Sequence, residues 1–285
     1  MDSIINFGIP HVGEQIFENI NDDDLLQYQK VSQVWKVLCQ NVLLKRWKGK
    51  LFQAFKSEKE EIVMLLLKYS DIENAKDSKG RTPLMWACTK GFKNVVELLL
   101  DNPNRNIILY ARDKYGQTAL MKACEEGHTH IVKLIMSHYT DYFLNVRSSY
   151  GYTAFMLACK NGHKDVVELF LDHSDRIELD ARHNVGEDFG LTAFMIACKY
   201  GHKDVVQFLL NNSKIELNAI CYSGNTGLML ACENGHKDVV KLLLKKQIAL
   251  DATNIDGKTA IILAGENGHK DVVYLILEEA KKYSY

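Results

Sequence analysis

The stretch TAFMLACKNGHKDVVELFL, which begins at Thr153, decides the fold because near copies of it recur along most of the chain. The copies begin at Thr82, Thr118, Thr153, Thr192, Thr226 and Thr259, at spacings of 36, 35, 39, 34 and 33 residues. A more divergent copy, GKLFQAFKSEKEEIVMLLL, fits from Gly49. Repetition at this spacing is typical of a modular stack, in which each unit buries its apolar face against its neighbours.

Each copy predicts a pair of short helices. Its first Thr is a good helix N-cap, because the hydroxyl can accept a hydrogen bond from a backbone N–H that the first turn leaves unpaired. The Gly in the middle ends the first helix, since glycine adopts a positive φ without strain. Residues 95–100 and their counterparts form a broad apolar stripe, as a helix buried between two neighbours requires. The sequence therefore predicts an all-α protein.

Charge and hydropathy argue against two classes of partner. The 285 residues include 35 Lys and Arg and 36 Asp and Glu, which gives a net charge of −1. A nucleic-acid-binding protein usually carries a basic excess, so we expect no nucleic-acid partner. No apolar run approaches the roughly 18 residues of a membrane span. The opening residues MDSIINFGIP also lack the features of a secretory signal, so we expect no membrane association.

The repeated units resemble the ankyrin repeat, whose pattern is a finger turn with Asp and Gly followed by TPLHxAAxxGHxxVVxLLL. The resemblance implies a helical solenoid with a degenerate first repeat and finger at residues 49–81 and six repeats at residues 82–285. One departure is systematic, because the His of TPLH is replaced by an apolar residue. The replacements are Met85, Met121, Met156, Met195, Met229 and Ile262. In the family that His helps to join neighbouring turns, so the substitution implies an apolar contact in place of a polar one.

Residues 1–48 do not carry the repeat, and their apolar positions predict short helices with breaks. An IFxxI segment at Ile16 and a DLLxxxxVSxxW segment at Asp24 resemble the F-box family. Ile9 and Pro10 stand for the family's Leu-Pro, while Val12 replaces the usual acid. The resemblance implies an N-terminal helical F-box that docks on a Skp-family adaptor of a cullin ligase. The implied docking residues are Ile9, Pro10, Ile16, Leu25, Leu26, Val31 and Trp35.

Two interpretations of the whole chain remain open at this point. In the first, the chain is the substrate-recognition adaptor of a Skp–cullin–F-box ubiquitin ligase, and the ankyrin stack binds the protein substrate. In the second, it is a plain ankyrin interaction module, or a competitor, whose N-terminal helices only cap the stack. Seven cysteines, an odd number, suit a reducing compartment. Both interpretations predict a cytoplasmic or nuclear protein, or the host cytosol if the source is a virus or an intracellular bacterium.

The recurring histidines and cysteines predict packing and not chemistry. Successive His positions, such as His163 and His202, fall one repeat apart, which is about 10 Å between packed helices. Zinc needs ligands that converge at about 2 Å. The Cys of five units occupies one repeat position, where a buried thiol acts as a small apolar group. Cys221 lies in a finger instead and is the thiol expected to be most exposed. No phosphate loop, GxSxG turn or HExxH helix occurs, so we expect no enzyme, metal or cofactor.

The finger turns and inner helix positions hold the candidate substrate-binding residues. Three consecutive fingers pair an Arg with an aromatic residue, and both types are enriched at binding hot spots. The positions before each Gly vary while their neighbours repeat, as a ligand-facing surface requires. The candidates are Trp86, Arg112, Tyr115, Lys122, Arg147, Tyr150, Arg182, Phe189, Tyr200 and Tyr222. The alternative is that Arg and Tyr are simply common in ankyrin fingers.

Overall fold

A computed structural model describes residues 33–69, 72–102, 108–186, 189–246, 248 and 250–281, and for residues 33–44 and 69 it describes the backbone alone. Within these ranges every regular element is a helix, and one isolated bridge joins Ile220 and Thr226. The predicted all-α class is therefore confirmed for the described residues. None of the helices in these ranges has the length and apolar character to cross a membrane.

The helices fall into two compact units, of which the first ends at Ile108 and the second begins at Leu109. The first unit holds α1 (Gln33–Lys56), α2 (Glu60–Tyr69), α3 (Pro83–Lys90) and α4 (Lys93–Leu100). The second unit holds α5 (Ala119–Glu126), α6 (Thr129–Met136), α7 (Asp141–Leu144), α8 (Ala154–Lys160), α9 (Lys164–Asp172), α10 (Ala193–Lys199), α11 (Lys203–Leu209), α12 (Gly227–Glu233), α13 (Lys237–Leu244), α14 (Ala260–Glu266) and α15 (Lys270–Lys281).

Helix α1 differs from the sequence prediction of short helices with breaks. It runs without interruption for 24 residues, so the predicted boundary at residue 48 lies inside it. Its later part packs on α2 and α3 and buries Leu51, Ala54 and Phe55. In the degenerate repeat, Ala54 and Val63 are both buried, as their alignment with the full repeats predicts. These buried positions agree with the alignment, and α1 begins well before Gly49, where the degenerate copy starts.

The Thr at the start of each repeat caps its helix as the sequence predicts. In five repeats the Thr hydroxyl accepts a hydrogen bond from the backbone N–H of the Met three residues later, at 3.2–3.3 Å. Thr259, in the last repeat, makes no such bond. The five Met side chains are buried, so these residues supply apolar core volume in place of the family's His, as the sequence predicts. Ile262, at the same position of the last repeat, is 43% exposed and does not.

The second unit has two parallel layers of helices. The inner helices α5, α8, α10, α12 and α14 pack on one another in chain order. The outer helices α6, α9, α11, α13 and α15 do the same. Small residues in the inner layer allow this close stacking, and Cys124, Cys159, Cys198 and Cys232 are buried there. Each repeat thus covers the apolar face of the one before it, which is how a stack of short helices forms a core.

Cys221 is the most exposed of the six cysteines whose side chains the structure describes, as the sequence predicts, because the other five are 0% exposed. It is nevertheless buried, since it is only 7% exposed and its Sγ lies 3.0 Å from the hydroxyl of Ser223. The finger folds back on itself at this point, as shown by the hydrogen bond from the Cys221 backbone N–H to Asn225. Burial also raises the pKa of Cys88, Cys159 and Cys198 well above the usual thiol range.

Candidate protein-binding groove

The histidines that follow the repeat glycines tie successive repeats together. Each ring Nε2 lies within hydrogen-bonding distance of a backbone carbonyl of the preceding repeat, and because a carbonyl can only accept, Nε2 donates. The pairs are His163 with Glu125 (2.9 Å), His202 with Lys160 (2.6 Å), His236 with Lys199 (2.8 Å) and His269 with Glu233 (3.0 Å). These four histidines therefore pack between repeats, as the sequence predicts. In the described ranges, no group of three or more His, Cys, Asp or Glu side chains is placed to hold a metal ion.

The finger arginines form a second connection between repeats. The Arg112 guanidinium donates to the carbonyl of Arg147 in the next finger. Arg147 in turn donates to the carbonyl of Arg182 at 2.5 Å, and Arg182 donates to that of Ile220 at 2.5 Å. Each arginine therefore fixes the next finger. This structural role accounts for the regular spacing of the three arginines without any bound substrate. Their contact with a substrate stays a prediction.

The aromatic residues of the fingers form exposed pairs. The rings of Tyr115 and Tyr150 are stacked at 5.8 Å between centroids. Phe189 and Tyr222 meet edge to face at 4.3 Å. Tyr150 and Tyr222 remain 54% and 72% exposed, so these rings offer apolar area to a partner at the rim of the stack. Four of the predicted finger aromatics therefore lie in two contacting pairs.

Trp86 is not on an open surface, which corrects its assignment as a substrate contact. Its side chain is 6% exposed and stacks on Phe55 at 6.0 Å between ring centroids. The Arg81 guanidinium lies 3.9 Å from the Trp86 ring centroid, and the indole N–H donates to Asp77 at 3.1 Å. Burial alone would raise the pKa of Asp77, but hydrogen bonds from Arg81 and Trp86 outweigh it and lower that pKa. Trp86 therefore stabilises the first unit.

Lys122, at the repeat position equivalent to Trp86, has its charge compensated locally. Its Nζ lies 3.8 Å from the buried carboxylate of Asp113 and 3.6 Å from that of Glu125. It also donates to the side-chain carbonyl of Gln117. A partner would gain little from this ammonium, because it would have to compete with two carboxylates that are already in place.

A groove of about 560 Å³ lies between the fingers and the inner helices of the second unit. It brings together Tyr150 and Tyr200 from the predicted set with residues that the sequence did not single out. The lining residues are Gln117, Glu125, Ser148, Tyr150, Tyr152, Leu157, Lys160, His183, Val185, Gly186, Lys199 and Tyr200. Its wall mixes aromatic rings with amide, hydroxyl and charged groups, which suits a peptide segment.

Lys160, at the end of α8, is the central charge of this groove. Its Nζ donates to the Tyr152 hydroxyl at 3.0 Å and lies 4.3 Å from the Tyr152 ring centroid. The Tyr200 ring centroid is 5.3 Å away. Among the described residues no carboxylate forms an ion pair with Lys160. Two tyrosines thus hold a half-buried ammonium through its attraction to their ring faces and leave its charge uncompensated.

Sequence reasoning missed Tyr152, Lys160 and Lys199 because each was considered only within its own repeat. A signal was present, since Lys occupies the same position in two consecutive repeats and Tyr stands nearby in both. Tyr200 reaches the groove from the repeat that follows Lys160. Its position beside Lys160 can be seen only when the two repeats are stacked.

The predicted F-box residues Ile9, Pro10, Ile16, Leu25, Leu26 and Val31 lie outside the described residues. Trp35 lies within α1, for which only the backbone is described at that position. Their assignment to adaptor docking stays a prediction.

Comparison with protein families supports the repeat assignment. The model described as "Ankyrin repeats (3 copies)" matches overlapping segments at residues 36–109, 51–148, 105–182, 134–221, 177–254 and 215–284. A search of curated proteins found no match. The family matches run from residue 36 to residue 284, the part of the chain that holds the capping threonines and the histidine contacts. This chain belongs to the ankyrin-repeat family.

Proposed function

We propose that this chain is the substrate-recognition adaptor of a Skp–cullin–F-box ubiquitin ligase. Ankyrin repeats bind protein partners, and the groove around Lys160 is the observation that supports the substrate-binding half. The F-box half rests on the IFxxI and DLLxxxxVSxxW segments of residues 1–48. In this proposal residues 49–81 form the degenerate first repeat and finger, and residues 82–285 form the six full repeats.

The mechanism is proximity. One chain that holds both the Skp-family adaptor and a substrate raises the effective concentration of that substrate near the ubiquitin-carrying enzyme. The chain itself supplies no catalytic group in this scheme. In this proposal the chain contributes two things. It holds the F-box and the ankyrin stack together, and its groove selects the substrate.

The second candidate function is a plain ankyrin interaction module, or a competitor that occupies a partner without delivering it. A specific observation favours it. Helix α1 runs unbroken from Gln33 to Lys56, and the ankyrin family match begins at residue 36, so the end of the proposed F-box also belongs to the first repeat. A helix of this kind suits a cap that covers the first repeat.

Co-purification with a purified Skp-family adaptor separates the two functions. We expect the full chain to bind the adaptor and the double variant Leu25→Asp with Leu26→Asp to lose binding, because two charges in an apolar contact are costly to desolvate. Leu65→Asp is the control, since Leu65 is exposed on α2 outside the proposed F-box. Failure of the unaltered chain to bind would refute the ligase role. Binding that survives the double substitution would refute the docking residues.

A further inference from the structure

We propose that the groove around Lys160 binds an extended acidic segment of the partner protein, with one carboxylate of that segment on the Lys160 ammonium. The inference rests on the substrate-binding half of the proposed function and does not depend on the F-box. It assigns a chemical class to a partner that is otherwise unspecified.

The first argument is the state of Lys160 itself. Its ammonium is half-buried, and its described partners are one neutral hydroxyl and two ring faces. Aromatic faces attract a cation but carry no net charge, so they position the ammonium without neutralising it. A carboxylate that enters the groove therefore gains a charge-assisted hydrogen bond with a donor whose position is already fixed.

The second argument is the charge sequence along the groove wall. The repeat position of Lys160 holds Glu125 in the preceding repeat, Lys199 in the next and Glu233 in the one after that. The carboxylate of Glu125 lies 3.6 Å from Lys122 Nζ, so that acid already has a cation. The uncompensated positive charge of Lys160 is therefore local. A local charge suits a short acidic segment and opposes a long polyanion.

The third argument concerns rigidity. The backbone carbonyls of these four residues accept hydrogen bonds from the histidines of the next repeat. Lys160 therefore stands on a fixed frame. Tyr150 and Tyr200 line the same groove and provide apolar area for the residues of the segment beside the bound carboxylate.

The test is selection of random 12-residue peptides displayed on phage against the immobilised full chain. We expect selected peptides to be enriched in Asp and Glu. Lys160→Met should abolish that enrichment, and Lys160→Arg should retain it because it keeps the charge. The matched control is Lys164→Met, since Lys164 also lies over an aromatic ring, 5.8 Å from the Phe208 centroid, but outside the groove.

Affinities give the second measurement. The best selected peptide should bind Lys160→Met about tenfold or more weakly than the unaltered chain, as expected for loss of a charged hydrogen bond. Increasing the NaCl concentration from about 50 to 500 mM should weaken binding to the unaltered chain. The salt measurement uses only the unaltered chain, so its result does not depend on whether Lys160→Met folds.

Four outcomes would overturn the proposal: failure to select any peptide, selected peptides without acidic enrichment, unchanged affinity in Lys160→Met, or tighter binding of a single-stranded dT12 oligonucleotide than of any peptide. Skp-adaptor binding is measured separately and involves residues 1–48. Its loss would speak against the ligase role alone, whereas loss of acidic selection would speak against the groove alone.

Discussion

The contact between Gly162 and His202 allows the coupling between two repeats to be measured. Gly162 has φ +75°, and a Cβ at this position would lie 2.4 Å from the Nδ1 of His202. The His202 ring cannot move away freely, because its Nε2 donates to the carbonyl of Lys160 at 2.6 Å. Gly162→Ala must therefore either strain the ring contact or break that hydrogen bond.

The expected magnitude follows from two contributions. The positive φ costs an L-residue about 1–2 kcal/mol. Overpacking against the His202 ring adds about 1–3 kcal/mol. We therefore expect Gly162→Ala to lower the free energy of unfolding by about 2–5 kcal/mol. The matched control is Gly268→Ala, where φ is +78° but no atom lies within 4 Å of the added Cβ. Gly268→Ala should therefore lower the free energy of unfolding only by the backbone cost of about 1–2 kcal/mol.

The assay is urea unfolding of the full chain followed by far-UV circular dichroism, with the m-value checked for loss of cooperativity. A double-mutant cycle isolates the contact from the backbone effect. In the presence of His202→Ala, the cost of Gly162→Ala should fall to that of Gly268→Ala, which gives a coupling of about 1–3 kcal/mol. Equal costs with and without His202→Ala would refute the claim that this histidine packs on the preceding repeat.

Three further predictions concern the fingers, the first unit and the thiols. Arg147→Met should lower the urea midpoint and cost about 1 kcal/mol, because it removes the hydrogen bond to the Arg182 carbonyl; an unchanged midpoint would contradict the finger connection. Since the pKa of Asp77 is lowered in the folded chain, its contribution to stability is present above the ordinary value of 3.8 and is lost as pH falls through the lower folded pKa. Asp77→Asn should flatten that part of the acid-unfolding profile, and an unaltered profile would count against the Asp77 contacts. Burial raises the pKa of Cys232 to about 12, so peptide mapping should find no iodoacetamide adduct on Cys232 of the native chain at pH 8 and rapid labelling of this residue in urea; native labelling of Cys232 would contradict its burial.

The fold could be predicted from the sequence because its signals lie within single repeats. The capping Thr, the Gly with positive φ and the apolar stripe each act over a few residues, and each recurs in phase. The same locality explains why Met85 and the four equivalent methionines were correctly expected to supply an apolar contact, although Ile262 in the last repeat is 43% exposed. The length of α1 was not predictable in this way, since no repeat precedes Gly49 to show where a helix should begin.

The candidate site was less predictable because its contacts join different repeats. Arg112 was identified as a surface residue, yet its guanidinium is used by the next finger. Trp86 was placed on a ligand-facing surface by its position, but a guanidinium and a stacked ring cover it. Lys160 was overlooked although its environment is the most distinctive in the groove. Whether a side chain is buried, bonded to another residue or open to a partner depends on the neighbouring repeat. The sequence pattern of one repeat gives no information about that neighbour.

The most direct test of the account is quantitative affinity capture from cell lysate with three chains: the unaltered protein, the double variant Leu25→Asp with Leu26→Asp, and Lys160→Glu. The account predicts that the first variant loses Skp and cullin subunits but keeps the groove partner, while Lys160→Glu loses the groove partner and keeps those subunits. If both variants lose or keep both kinds of partner together, the claim that one chain joins a substrate to a ligase through two separate surfaces is wrong.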